Sequence, residues 1–142
     1  MKADDLKKRT KQFALRILKL VAALPSNVQG RAIGNQLVRA GTAVAANYRA
    51  ACRGRSKAEF IAKLGTVEEE ADESAFWMEL IIEAELLKAQ KVQPLLAEAI
   101  ELTKIMARSR ISASTALTQS KLASKRSSNA ISNRQSAIGN RQ

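Results

Sequence analysis

The sequence predicts an all-α protein: an antiparallel up-and-down four-helix bundle followed by a disordered basic C-terminal tail. Three observations carry that expectation. Apolar residues make up 46% of the chain but aromatics only 4%, with Ala and Leu dominant, which favours helices over sheets because strands draw on Val, Ile, Thr and aromatic side chains. Apolar positions recur at alternating steps of three and four along successive runs. Short breaks separate those runs, and short connections make antiparallel neighbours the simplest topology. A chain of 142 residues is enough for one core and not two. Residues 1–110 are therefore assigned to the bundle and residues 111–142 to the tail.

From Asp4 to Leu24 the apolar positions are Leu6, Phe13, Ile17, Leu20 and Leu24, with Thr10 filling one slot. LPSNVQG then breaks the helix. The second run, from about Ser26 to Arg53, places Ile33, Leu37, Ala40, Val44, Asn47 and Ala51 on one seam, and Gly54 follows as a left-handed stop. Ser56 opens helix three as the N-cap of a capping box completed by Glu59. Its seam is Phe60, Leu64, Val67, Ala71, Ser74, Met78 and Ile81, with the helix continuing to about Ala89. Gln93-Pro94 begins helix four, Pro94 taking the favoured first position, and Leu96, Ala99, Ile100, Thr103 and Met106 form its inner face. After Arg110 Ser is plentiful, acids vanish and large apolar residues thin out, a composition expected to be disordered. The chain closes on two near copies of a heptad, NAISNRQ and SAIGNRQ, too few for a coiled coil.

Several function classes are excluded by composition. The chain has no His, which removes Ser-His catalysis, the Glu-x-x-His di-iron bundle and most zinc sites. The lone Cys52 forms no internal disulfide, and without a His to activate it reads as a small buried thiol rather than a nucleophile. No apolar run is long enough to span a membrane and the start, MKADDLKKRT, lacks the apolar core of a signal peptide, so a cytoplasmic protein without cofactor or metal is expected.

Charge is uneven along the chain. Residues 1–57 carry a balance of +11, residues 58–110 a balance of −5, and residues 111–142 a balance of +5. A basic half attracts nucleic acid, or it complements the acidic half within one bundle or across a subunit boundary. On a helical wheel with Arg39 at zero, Arg31, Arg39, Arg49 and Arg53 fall within an arc of about 80°, nearly opposite the apolar seam. Arg55 and Lys57 extend this stripe around the turn. Either it is a solvated face paired with acidic helix three, or it is a phosphate-binding ridge of planar guanidinium forks. Tyr48 is the one aromatic near it and lies toward the seam, so base stacking is not indicated and binding should be backbone-driven.

Ala40, Gly41, Ala43, Ala45 and Ala46 let a neighbouring helix approach closely, and Asn47 on the seam is expected to fix register as a buried polar residue. Helix three has a second apolar face: Phe76, Leu80 and Leu87 lie opposite its core seam, with Trp77 to one side near Glu70 and Glu73. A helix apolar on two faces is buried on both, so self-association through Phe76, Trp77, Leu80 and Leu87 is expected. The run EEEADE, Glu68–Glu73, reads as a solvated or salt-bridged face rather than an acid/base or metal site.

The stretches RAGTAVAANYRAACRGRSKAEFIAKL and EEEADESAFWMELIIEAELL closely resemble the bacterial four-helix bundle protein family, also called the 23S ribosomal RNA intervening-sequence protein family. Gln36, Leu37, Arg39, Thr42, Ala46, Asn47, Tyr48, Ser56, Phe60, Glu70, Glu73, Phe76, Trp77 and Leu80 stand at positions of the family pattern, over about residues 8–108. Ala50 departs from it, standing where relatives usually carry Glu. The resemblance implies a non-enzymatic antiparallel bundle assembled as a ring-like homopentamer. It also implies kinship with a basic accessory protein of diversity-generating retroelements that binds nucleic acid and a reverse transcriptase. The expected function is thus a homo-oligomer that binds nucleic acid, RNA ahead of DNA, through arginines of helix two and lysines of helix one. The alternative is a protein-interaction scaffold or accessory subunit, for example of a reverse transcriptase.

Overall fold

The structure, a computed structural model, describes residues 1–139; the last three residues of the second heptad copy, 140–142, lie outside the described residues. Four helices follow in order: α1 Ala3–Ala22, α2 Val28–Cys52, α3 Lys57–Glu83 and α4 Ala89–Gly139. Adjacent helices pack as α1 on α2, α2 on α3 and α3 on α4, with a lighter contact between α1 and α4 closing the bundle. The all-α up-and-down expectation holds.

The core follows the predicted periodicities in α1 and α3, whereas α4 buries Val92, Leu95, Ala99, Leu102 and Met106, leaving the expected Leu96 and Thr103 half-buried and Ile100 exposed. In α1 the buried residues are Leu6, Thr10, Phe13, Ile17 and Leu20, and the Thr10 hydroxyl donates to the Leu6 carbonyl at 2.8 Å, so the one polar seam residue is satisfied within its own helix. In α3, Leu64, Val67, Ala71, Ser74, Met78 and Ile81 are buried, and Ser74 donates to the Glu70 carbonyl at 2.8 Å. Among the described residues no buried side-chain polar atom lacks a partner.

Helix α2 departs from its expected seam by one residue. Leu37, Ala40, Val44 and Ala51 are buried as predicted, but the buried residue of the penultimate turn is Tyr48, 3% exposed, with Asn47 half-buried beside it. Burial pushes the Tyr48 hydroxyl far above its ordinary pKa. Close approach is concentrated at Gly41, where a Cβ would stand 2.6 Å from Cγ1 of Ile17 in α1. Ala40 is buried and Ala43 and Ala45 half-buried, whereas Ala46 is exposed.

The helix ends show further differences. Asn27 caps α2, accepting from the Gly30 N–H at 2.8 Å. Gly54 does not have the expected left-handed backbone; a Cβ there would stand 3.1 Å from the Ala51 carbonyl, so its place is explained by close approach. Ser56 caps α3 by accepting from Glu59 N–H at 3.1 Å, and the Glu59 carboxylate reaches back to the Arg55 N–H, one residue before the cap. Helix α3 ends at Glu83, earlier than expected, in a Schellman turn. Glu85 takes φ 57°, its N–H donating to Ile82 and the Leu86 N–H to Ile81, both at 3.0 Å. Helix α4 begins at Ala89, so Pro94 stands in its second turn, exposed, where the helix gives up one hydrogen bond to the Gln90 carbonyl.

The largest difference concerns the tail. Where disorder is expected from Ile111, α4 continues unbroken to Gly139. Its last fully buried residue is Met106, Ala113 and Leu117 are half-buried, and Thr118–Gly139 is exposed. Continuation has a simple physical basis. The packed part of α4 already supplies the helix nucleus, and the tail is rich in Ala, Leu, Lys, Arg, Gln and Ser with no Pro.

Candidate nucleic-acid interface

Toward the α1 N-terminus, beyond the close contact of Gly41 with Ile17, helices α1 and α2 remain neighbours. An open groove of about 530 Å³ lies between them, lined by Lys7, Lys8 and Lys11 of α1 and by Thr42, Ala45, Ala46, Arg49 and Arg53 of α2. Lys7 and Lys11 are one turn apart, as are Arg49 and Arg53, so each wall presents cations about 6 Å apart along its helix. The floor is made of small side chains, and the Thr42 hydroxyl donates to the Val38 carbonyl at 2.6 Å. The lining contains five Lys or Arg residues and no carboxylate.

These cations are largely unpaired. Lys7 makes an exposed contact with Asp4 at 3.6 Å, and among the described residues Lys8, Lys11, Arg49 and Arg53 form no ion pair. Three acids of α3 and α4, Glu68, Glu98 and Glu101, pair with other arginines. Arg9 of α1 forks onto Glu98 of α4, Nε to Oε2 at 2.9 Å and Nη2 to Oε1 at 2.6 Å, and that bond raises the Arg9 pKa. Arg110 of α4 donates through Nε to Glu68 of α3 at 2.7 Å. Neither pair was anticipated from the sequence, because nothing local to either helix fixes their mutual register.

The arginine stripe of α2 is divided by the fold. Arg49 and Arg53 enter the groove. Arg31 lies 22 residues from Arg53, about 33 Å along the helix, and donates to the Ser26 carbonyl at 3.1 Å. Arg39 points toward α3, where its charge pulls the Glu70 carboxyl down; burial and the neighbouring Glu73 outweigh it, and the Glu70 pKa is raised. Arg55 and Lys57 line a separate open pocket at the α2–α3 turn with Ala3, Cys52 and Phe60. The lysines of α1 stand across the groove from Arg49 and Arg53.

The second apolar face of α3 is narrower than expected. Phe76 is 49% exposed, and its ring meets Trp77 edge-on with centroids 5.1 Å apart. Trp77 and Leu87 are half-buried against the core, and Leu80 is half-buried. Trp77 Nε1 donates to Glu73 at 3.2 Å. Among the described residues no cluster of His, Cys, Asp and Glu could hold a metal ion, and no helix is long and apolar enough to cross a membrane.

Comparison with known proteins places this geometry in context. The family model described as "23S rRNA-intervening sequence protein" matches residues 3–108. A solved structure from Bacteroides thetaiotaomicron, described as a protein of unknown function from the S23 ribosomal protein family, is similar. It has 30% identity and a TM-score of 0.70, over 78% of this chain and 98% of that one. Curated proteins give no match.

Proposed function

Because the chain belongs to the 23S rRNA-intervening sequence protein family, we propose that it is a non-enzymatic, homo-oligomeric, cytoplasmic protein that binds nucleic acid, RNA in preference to DNA, through the α1–α2 groove. The observation that carries this reading is the convergence of Lys7, Lys8, Lys11, Arg49 and Arg53 on one acid-free groove. Cations left without carboxylate partners are free to neutralise phosphates, and the release of the counterions condensed on the nucleic acid drives binding. The guanidinium groups of Arg49 and Arg53 offer paired donors to phosphate oxygens, and the lysines act as point charges on the opposite wall. The small, aromatic-free floor gives no stacking platform and no base-reading side chain, so recognition runs through the backbone and shape of the ligand. The preference for RNA rests on the family's association with ribosomal RNA.

Self-association is proposed through Phe76, backed by Trp77, Leu80 and Leu87, into a ring of five. The half-exposed Phe76 ring supports a contact there, and it equally favours a second reading. In that reading the protein is an interaction scaffold or accessory subunit, for example of a reverse transcriptase, and Phe76 meets another protein.

Salt dependence separates phosphate binding from apolar contact. Binding to a structured RNA should weaken with log[salt] at a slope of about −3 to −5, as expected for roughly five phosphate contacts. A slope near zero, or no binding at low salt, would overturn the proposal.

A further inference from the structure

The groove occupies one end of the molecule, and α4 leaves the bundle at that same end. Ala3 of α1, Cys52 of α2 and Lys57 and Phe60 of α3 line one pocket there, and Arg110 of α4 is tied to Glu68 about three turns into α3. Beyond the last half-buried residue, Leu117, Thr118–Gly139 projects as a helix whose every residue is exposed, about 33 Å long at 1.5 Å per residue. The arm carries Lys121, Lys125, Arg126 and Arg134 and no Asp or Glu.

Its side-chain pattern limits what it can contact. With Ile111 at zero on a helical wheel, Leu122 lies near ~20° but Ile131 and Ile138 near ~200° and ~180°. The apolar residues therefore form no single stripe, so the arm has neither a coiled-coil seam nor a membrane-lying face. The cations are also distributed, near ~280°, ~320°, ~60° and ~140°. A helix with cations on several sides suits a setting with phosphates on more than one side of it, as between the two backbones of a duplex. Groove and arm both lack aromatics, so neither provides the stacking that holds a single strand.

We propose that the α4 arm, Thr118–Gly139, is a second phosphate-contacting region for the ligand of the groove, and that the ligand is a double-stranded nucleic acid of about two helical turns, long enough to engage both. This inference rests on the groove reading. It makes the protein a length-sensitive duplex binder, with the groove contacting one turn and the arm the next.

The test uses the full-length chain and duplex RNAs of about 8 and about 24 base pairs, with a single strand and a DNA duplex of the longer length alongside. The wild type should bind the long RNA duplex at least about tenfold more tightly than the short one. Replacing Lys121, Lys125, Arg126 and Arg134 together by Gln, which preserves helix propensity, should abolish that advantage and reduce the salt slope on the long duplex by about 3. Short-duplex binding should stay unchanged. Wild-type affinity and slope in this variant, or a single strand bound as tightly as the duplex, would overturn the inference while leaving the groove in place. Failure of the wild type to bind any of these ligands would overturn the groove reading and the inference with it.

Discussion

Gly41 sets the distance between α1 and α2, and therefore the shape of the groove above it. A Cβ at this position would stand 2.6 Å and 2.9 Å from the two γ-carbons of Ile17, which is fully buried. Gly41→Ala should destabilise the fold by about 1–3 kcal/mol through overpacking, although Ala is the better helix former. Ile17→Ala removes the obstructing atoms and should cost about 2–5 kcal/mol by leaving a cavity. In that background Gly41→Ala should be nearly neutral or stabilising. Denaturant melts of the four proteins check this cycle, and additive losses would show that the two residues do not compete for the same space. Glu70 permits a second residue-scale prediction. Burial and the charge of Glu73 raise its pKa above the ordinary 4.5, against the pull of Arg39. The native state then holds a proton that the unfolded chain has released, so stability falls as pH rises from 4.5 through the folded value. Glu70→Gln should raise the Tm at pH 7, leave it little changed at pH 4, and flatten the profile between. A lower Tm at pH 7 would mean that the Arg39 interaction dominates.

Among the elements, α1 and α4 have the lightest packing, and one ion pair spans them. Arg9 and Glu98 are 28% and 18% exposed at the side chain, and they share two hydrogen bonds. Arg9→Ala should cost about 1–3 kcal/mol, the range for a charged hydrogen-bonded group whose partner is left partly buried. Unchanged stability by denaturant unfolding would place the closure of the bundle in apolar contacts alone. The elements also show how far sequence reasoning reached. The seams of α1 and α3 were legible because Leu6, Phe13 and Ile17, and Leu64, Val67 and Met78, repeat at helical spacing with little competition from other faces. The α2 seam was less so: its Ala and Gly residues are weak markers of direction, and Tyr48 rather than Asn47 takes the buried place. The groove could be read only in halves. Its arginines and lysines were both visible, but the register of α1 against α2 depends on Gly41 meeting Ile17, a contact between residues 24 apart. The tail's composition lacks a core-forming face, and a helix already nucleated by packed neighbours does not need one to continue.

At the scale of the whole molecule, the cationic groove and the half-exposed Phe76 ring lie on different parts of the surface. The α1–α2 groove and the α4 arm carry cations at one end, whereas Phe76 opens on the α3 surface among acids such as Glu73 and Glu79. The proposed phosphate binding and self-association should therefore be separable by mutation. Phe76→Asp should reduce the assembly to smaller species by light scattering while the melting of the isolated bundle changes little. An unchanged mass would remove Phe76 from the interface and strengthen the scaffold reading, in which that ring meets a different protein. The central claim is that Arg49 and Arg53 bind phosphate, and the most direct measurement is the affinity of the Arg49→Glu, Arg53→Glu double variant for structured RNA, taken with its mass in solution. The account predicts a loss of at least about a hundredfold, from two lost contacts and two added repulsions, each a substantial charge term, with the oligomer mass unchanged. RNA binding at wild-type strength, or dissociation of the assembly in the absence of RNA, would contradict it and assign the arginines to solvent or to packing between subunits.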